Sequence, residues 1–204
     1  MAGRPRGIDD SVILRAAVEV IGRVGPAGLT LGAVAKEVGL VPGTLVQRFG
    51  SKHGLMVAVA ERSAAEADAR YARLREGHPS PLAALAALAA ESMAAMATPE
   101  TFANHLAFLC LDLTDPQLRP YALAVHESQG RAIRALLDEA VSAGELRAGT
   151  DPAALAESVQ AIIAGTGLAW ALDRRDTLPR RLRAALHAVL SPHVPPGGGA
   201  VLEE

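Results

Sequence analysis

The chain has 204 residues, a net charge of −2 and 50% hydrophobic residues, so it can bury a sizeable core. Its 42 alanines and only 3% aromatic residues favour helices over strands and predict an all-α fold. The single cysteine, Cys110, excludes an internal disulfide and a thiolate metal site; no metal or cofactor is expected. The first ten residues lack the apolar stretch of a signal peptide, and no uncharged run is long enough to span a bilayer. We therefore expect a cytoplasmic protein without a membrane segment.

Charge is distributed unevenly along the chain. Residues 1–55 carry seven basic and four acidic side chains, a net charge of +3, whereas residues 56–204 have a net charge of −5. A basic N-terminal segment on an acidic remainder favours contact of the N-terminal segment alone with a polyanion. The alternative is chance, because an excess of three positive charges in 55 residues is common.

The N-terminal 55 residues predict short helices joined by tight turns. Asp9 can cap a first helix, which Gly25, Pro26 and Gly28 break. Its predicted buried face is Leu14, Ala17, Ile21 and Val24.

Two further short helices follow the first. One begins after Thr30 and ends at Gly39, and the next runs from Pro42 to about Phe49, with Leu45 facing inward. Two short helices around a tight turn predict a helix-turn-helix, in which the small Ala35 allows the helices to cross closely. This pattern alone leaves an ordinary helical hairpin as the alternative.

A set of short motifs in this segment distinguishes it from an ordinary helical hairpin. The motifs are Ile13-Leu14-Arg15-Ala16-Ala17, Leu29-Thr30-Leu31, Val34-Ala35-Lys36-Glu37-Val38-Gly39-Leu40, Gly43-Thr44-Leu45 and Phe49-Gly50-Ser51-Lys52-His53-Gly54-Leu55. In order and spacing they resemble the DNA-binding head of the TetR family of transcriptional regulators, over the 47 residues from Asp9 to Leu55.

The resemblance implies that the helix from Pro42 to Phe49 is a recognition helix in the major groove. The implied DNA-contacting residues are Thr30, Pro42, Gly43, Thr44, Val46, Gln47, Arg48 and Lys52. Gln47 would pair with adenine, and Arg48 with guanine or a phosphate. Arg4 and Arg6 would reach an adjacent minor groove, unless they belong to a solvated terminus.

Two positions in the head differ from the family pattern. Val41 stands where the family usually has a serine or threonine cap, and Val46 stands where it usually has a phosphate-binding tyrosine. These two changes bear on the strength and the sequence preference of DNA binding.

The rest of the chain predicts a helical bundle. We expect domains at residues 1–52 and 53–192 and a disordered tail at 193–204, which holds Pro195, Pro196 and three glycines. The expected helices of the bundle are Leu55–Arg75, Leu82–Met96, one around Phe102, Leu106 and Leu109, Asp115–Gly144, Pro152–Leu172 and Leu178–Leu190.

The last two helices carry the pattern of an interface. Ala161, Gly165 and Ala169 are small at intervals of four residues, so a neighbouring backbone can approach closely. The expected apolar face of the final helix is Leu178, Leu182, Ala185, Leu186 and Val189. The resemblance implies that these two helices pair with their copies as a four-helix bundle in a homodimer; packing within one chain is the alternative.

The resemblance also implies an internal cavity that binds a small-molecule effector of unknown identity. The candidate lining residues are Met93, Met96, Phe102, His105, Phe108, Leu109, Cys110, His126 and Trp170. Methionine and aromatic side chains suit an adaptable apolar pocket, but each of these residues has a simpler explanation as core or solvated surface.

Taken together, the sequence predicts a homodimeric, DNA-binding transcriptional regulator. The family resemblance favours a repressor that a small molecule releases from a two-fold symmetric operator in double-stranded DNA. An enzyme is disfavoured because the sequence shows no catalytic pairing of carboxylates, no nucleophile beside a base and no phosphate-binding loop. The remaining alternative is a ligand- or protein-binding module of the same architecture that has lost DNA binding.

Overall fold

The computed structural model describes residues 8–196, which form nine α-helices and a short terminal turn. The helices are α1 (Asp10–Gly28), α2 (Leu31–Glu37), α3 (Pro42–Phe49), α4 (Lys52–Glu76), α5 (Pro81–Ser92), α6 (Pro99–Thr114), α7 (Arg119–Ser142), α8 (Pro152–Asp173) and α9 (Leu178–Leu190). No strand occurs within these residues. The predicted all-α fold is confirmed.

The first helix begins and bends where the sequence predicts. The Asp9 carboxylate accepts a hydrogen bond from the amide of Ser11 at 2.7 Å. The hydroxyl of Ser11 and this amide together lower the pKa of Asp9. Gly25 adopts φ 70° and ψ 170°, so the regular helix is interrupted there. The expected burial of Val24 is wrong: it is exposed because the chain bends one residue later, and Gly25 and Pro26 take the buried positions.

The turn between α2 and α3 has the geometry of a helix-turn-helix. The hydroxyl of Thr30 caps α2 by accepting from the amide of Ala33 at 3.0 Å. Gly39 adopts φ 67° in the turn, a conformation that strongly favours glycine. Ala35 and Leu45 are fully buried, so the small side chain lets α2 and α3 cross and the large one fills the angle between them.

The chain divides into two compact units. The N-terminal unit comprises residues 8–64 and 103–122, and the C-terminal unit comprises residues 65–102 and 123–196. This division differs from the predicted domain boundary at residue 52, which stays a prediction.

Each unit has its own apolar core. The N-terminal core includes Ile13, Ala17, Val20, Leu29, Val34, Leu45, Leu55 and Leu118. The C-terminal core includes Tyr71, Leu85, Leu88, Phe102, Ile133, Leu137, Val159, Ile163 and Trp170, together with leucines of α9. Complete burial of side chains of this size is the main favourable contribution to folding of each unit.

The packing of α9 corrects one expectation. Leu178, Leu182 and Leu186 are buried against the chain's own core, so they are not free to form an interface with a second copy. Ala185 and Val189 instead line a surface groove between α8 and α9. The apolar face of α9 therefore has two parts, a leucine row that holds the chain together and a small-residue row that faces outward.

Several predicted boundaries shift by a few residues. α5 ends at Ser92, so Met93 and Met96 lie in the turn after it and not on the helix. α7 begins at Arg119, because residues 116–118 form a turn in which Asp115 accepts from the amide of Gln117. At the C-terminus, Arg147 bonds the carbonyls of His193 and Val194, whereas residues 197–204 of the predicted tail lie outside the described residues.

One helix, α8, is long and apolar enough to cross a membrane by length and composition alone. A core helix of a soluble protein meets the same criteria. Leu155, Val159, Ile163 and Trp170 on this helix are buried in the C-terminal core, so one of its apolar faces is a core face.

A substitution at Gly167 tests the packing of α8. A Cβ atom there would lie 2.4 Å from Cε2 of Phe102, whose ring is buried and packs edge-on against Trp170 with centroids 6.5 Å apart. We expect Gly167→Ala to lower the free energy of unfolding by roughly 1–2 kcal/mol, because overpacking outweighs the gain in helix propensity. Urea denaturation measures this change.

Gly149→Ala is the matched control, because nothing lies within 4 Å of the added Cβ. Its free energy of unfolding should stay within about 0.5 kcal/mol of the parent protein. Equal effects of the two substitutions would contradict the tight packing of Phe102 against Gly167.

Candidate functional site

The outward face of α3 is the candidate nucleic-acid interface. Leu45 anchors the helix in the N-terminal core, and Phe49 packs partly against the same core. The rest of the helix surface is exposed and carries Gly43, Val46 and Gln47, with Thr44 half-buried beside them. Pro42 is exposed at the start of the helix, on the side where Gly32 of α2 lies. The structure thus brings six of the eight predicted DNA-contacting residues together on one short helix.

The start of α3 confirms the predicted lack of a polar cap. Val41 occupies the cap position, is 68% exposed and makes no side-chain hydrogen bond to the helix. Pro42 follows at the first helical position, where its missing N–H removes one donor that would otherwise need a partner. The helix therefore begins without a side-chain cap, while the amide of Thr44 bonds the carbonyl of Val41 at 3.0 Å.

Arg48 lies in an internal contact and not on the open face. Its guanidinium donates to the carbonyl of Ile8 at 2.6 Å and to the carboxylate of Asp10 at 2.8 Å. These bonds tie the last turn of α3 to the first turn of α1. In this arrangement the side chain steadies the head, and a base contact would require it to leave both partners.

The two predicted phosphate-contacting residues flank the helix-turn-helix. Lys52, at the start of α4, donates to the carbonyl of Ala27 at 3.1 Å and keeps further N–H groups for another acceptor. Thr30 already uses its hydroxyl oxygen to cap α2. A phosphate contact at this position, which stays a prediction, would therefore come from free amides in the first turn of α2.

The N-terminal unit also contains a contact that the sequence analysis missed. The Asn104 side chain on α6 donates to the carbonyl of Gly22 at 2.8 Å, and a Cβ on Gly25 would meet its Oδ1 at 2.9 Å. The next residue, His105, has its Nε2 3.2 Å from the corresponding Cβ position of Gly22, and burial lowers its pKa. The glycines of α1 thus mark a close approach by α6, which sequence patterns on either helix alone do not reveal.

A second missed feature is a buried acid at the other end of α6. Asp112 is 8% exposed, and its Oδ1 has no hydrogen-bond partner among the described residues. Burial and the nearby charge of Asp115 raise the pKa of Asp112 to about 6. Asp115 is itself held ionised: bonds from the amide of Gln117 and from His53, at 2.7 Å, lower its pKa.

The predicted ligand-binding residues are divided between the two units. His105 and Phe108 belong to the N-terminal unit, whereas Met93, Met96, Phe102, His126 and Trp170 belong to the C-terminal unit. Phe102 and Trp170 are buried together in the C-terminal core, and the indole N–H donates to the carbonyl of Asp176. His126 is exposed and bonds the amide group of Gln160. The assignment of these residues to an effector site stays a prediction.

Two surface grooves lie on the described part of the C-terminal unit. The groove between α8 and α9 has a volume of about 780 Å³ and is lined mostly by small side chains, among them the predicted Ala161, Gly165 and Ala169. The groove between α4 and α7 has a volume of about 430 Å³ and is bordered by the ion pairs Arg75–Glu139 and Arg131–Asp68. Neither of these two grooves contains a predicted effector-binding residue.

The structure gives no support to a metal site in the part of the chain that it describes. No group of three histidine, cysteine, aspartate or glutamate side chains is close enough together there to hold a metal ion.

The helix-turn-helix with an open recognition face, followed by a larger helical unit, defines a DNA-binding regulator. Two family models match the chain: "Bacterial regulatory proteins, tetR family" over residues 13–59 and "Tetracyclin repressor-like, C-terminal domain" over residues 81–186. The chain therefore belongs to the TetR family, as its motifs predict, and it is a DNA-binding transcriptional regulator. Regulators of this family act as dimers that bind DNA and respond to small-molecule effectors.

Solved structures share the fold over nearly the whole chain. SmeT, the repressor of the Stenotrophomonas maltophilia multidrug efflux pump SmeDEF, has 21% identity and a TM-score of 0.68 over 97% of both chains; it is also known in a complex with triclosan. A regulator from Saccharomonospora viridis, solved with choline, has 18% identity and a TM-score of 0.73 over 91% of this chain and 97% of that chain. Reduced NemR from E. coli has 17% identity and a TM-score of 0.72 over 92% of this chain and 98% of that chain. No curated protein sequence matches the chain.

A double-mutant cycle tests the internal contact of Arg48. Arg48→Ala and Asp10→Ala should each lower the free energy of unfolding, and the double variant should lose less than the sum. We expect a coupling of about 0.5–1 kcal/mol, since the pair is partly exposed. Additive losses would contradict the contact between α3 and α1. The exposed pair Arg134–Asp138, four residues apart on α7, is the control and should couple by about 0.3 kcal/mol.

The buried acid predicts a specific pH dependence. The folded-state pKa of Asp112, about 6, lies above its ordinary value, so ionisation of Asp112 destabilises the folded protein. This destabilisation develops as the pH rises from about 4 to about 6 and persists above that. Asp112→Asn should therefore stabilise the protein at pH 7.5, by at most about 3 kcal/mol, and by clearly less at pH 4.5. Thermal unfolding at the two pH values measures the difference, and an equal effect at both would contradict the raised pKa.

Proposed function

We propose that the protein is a homodimeric repressor that reads a two-fold symmetric DNA site with α3 and leaves it when a small molecule binds. The observation that carries this proposal is the exposed face of α3, on which Gln47 stands beside Val46 while Leu45 anchors the helix from behind. An exposed helix fixed by a packed turn can enter the major groove without rearranging the head.

The groove between α8 and α9 supports dimerisation through these two helices. Its small residues allow the helices of a second copy to approach closely, and Leu168 and Leu172 on α8 are exposed apolar side chains that a partner would cover. A two-fold dimer presents two copies of α3 to one duplex, so each half of a symmetric site is read in the same way.

The effector would be a small molecule with substantial apolar surface. This proposal rests on the methionine and aromatic side chains of the predicted lining, which adapt to ligands of different shape. Two similar regulators were solved in complexes with small molecules, one with choline and the other with triclosan, which supports the proposal of a small-molecule effector. Binding would lower DNA affinity only by the difference in effector affinity between the two states of the dimer.

Two further properties belong to this proposal. Regulation of transcription requires access to chromosomal DNA, so the protein would act in the cytoplasm. Its relatives are regulators, and we propose that it too has no catalytic activity.

Selection of bound duplexes from a random library, with the purified dimer, tests the proposed function. An enriched two-fold symmetric site, bound less tightly by orders of magnitude at 200 mM than at 50 mM salt, is the expected result. No enrichment by a folded dimer freed of bound ligand by denaturation and refolding would refute DNA reading by α3. A protein partner that the folded dimer binds without a steep salt dependence, together with no binding of DNA, would instead support the alternative of a protein-binding module.

Two substitutions separate base reading from phosphate binding. Gln47→Ala should weaken binding to the selected site and change the preferred base at one position of each half-site, because a bidentate contact to a base discriminates by about 1–3 kcal/mol. Lys52→Ala should weaken binding to all sequences alike and make the salt dependence shallower, because it removes a phosphate contact. Fluorescence anisotropy with the selected and a scrambled duplex measures both effects. A change of base preference in Lys52→Ala would contradict the assigned roles.

A further inference from the structure

The recognition face of α3 has an apolar component that the assigned polar contacts do not explain. Val46 is 50% exposed and lies on the same side of the helix as Pro42, one turn earlier. Val41, at the cap of the helix, is 68% exposed. The exposed half of the Val46 side chain is free to make apolar contacts with whatever this helix meets.

The surroundings of Val46 leave room for a small apolar group. Side chains on a helix lean toward its N-terminus, so Val46 covers the turn that carries Pro42 and Gly43. Gly43 has no side chain, and nothing lies within 4 Å of the position its Cβ would occupy. The space on the Gly43 side of Val46 is therefore open.

The charged side chain nearest to this face points elsewhere. Arg48 is engaged with the carbonyl of Ile8 and the carboxylate of Asp10, so it does not fill the space beside Val46. Within α3, the outward polar groups are those of Thr44 and Gln47. The face that meets the bases is therefore mostly apolar and uncharged.

Only one group on the edges of the bases in the major groove is apolar. It is the 5-methyl group of thymine, which cytosine, adenine and guanine all lack. A valine in the major groove gains by contact with this methyl group and gains nothing from the polar edges of the other bases.

We propose that Val46 reads a thymine in each half-site by packing its isopropyl group against the thymine 5-methyl group, with Gly43 leaving the space that the methyl group occupies. This inference rests on the proposed function and extends it by naming the base and the residue that selects it. Val46 is then a specificity determinant, and its effect comes from apolar contact and not from a hydrogen bond.

Replacement of thymine by deoxyuridine tests the proposal, because it removes the methyl group and leaves base pairing and all polar edges unchanged. Each thymine of the selected site is replaced in turn, in both half-sites together, and the affinity of the full-length dimer is measured by anisotropy. Burial of one methyl group is worth about a threefold to fourfold change in affinity, so loss of two should weaken binding roughly tenfold at one symmetric position.

The variant Val46→Ala identifies the residue that senses the methyl group. It should bind the thymine and deoxyuridine duplexes within a factor of about two of each other, because its side chain is too short to cover the methyl group. The matched control is Val12→Ala, since Val12 is another exposed valine of the same unit, on α1; it should keep the full sensitivity. Circular dichroism and gel filtration confirm that each variant is a folded dimer.

Gly43→Ala provides a second, independent test. The added methyl group would occupy the space next to Val46, so this variant should also lose most of its preference for thymine over deoxyuridine, without any change to Val46 itself.

The outcomes separate failure of the inference from failure of the proposed function. Specific binding with no sensitivity to deoxyuridine at any position overturns the inference alone. So does a sensitivity that Val46→Ala retains in full. Absence of specific binding by the folded parent dimer overturns the proposed function, and the inference with it.

Discussion

The burial of Leu45 between α2 and α3 is the contact on which the recognition surface depends. This side chain is completely inaccessible, and Ala35 is small enough to let the two helices cross around it. Once Leu45 is fixed, the helical repeat decides which residues face outward, and Val46 and Gln47 follow directly as its neighbours. The side chains that the outward face of α3 presents are therefore determined by the burial of the neighbouring residue, Leu45.

The bonds of Arg48 change the electrostatic character of that face. By joining the carbonyl of Ile8 and the carboxylate of Asp10, this arginine links α3 to the start of α1 and leaves the outward face uncharged. Under the proposed function, attraction to phosphates would come from groups beside this face, such as Lys52 and the free amides of α2. Affinity and base preference are thus assigned to different residues, which allows either to change without the other.

The sequence predicts features that depend on neighbours along the chain and misses those that depend on contacts across it. The caps at Asp9 and Thr30 and the turn at Gly39 are local, and all three lie where the sequence predicts a helix to begin or end. Periodicity alone did not separate the leucine row of α9 from its outward alanines, because both rows are apolar. The bonds of Arg48 to Ile8 and Asp10 join residues about forty positions apart in the sequence. A pattern along one helix does not indicate which distant residue a charged side chain will contact.

Weak contacts at each head are sufficient only if two heads act together. A face made of valine, threonine and glutamine offers a few contacts of modest strength, so one head alone would discriminate poorly between sites. Linking two heads in a dimer makes the second contact intramolecular, and the two base preferences then multiply. The same dependence on two heads makes the dimer easy to release. A ligand that keeps the two heads from contacting DNA at the same time removes the binding energy of one whole half-site. A recognition face that binds DNA weakly therefore suits this kind of regulator, because a ligand with modest binding energy is then enough to release the dimer from DNA.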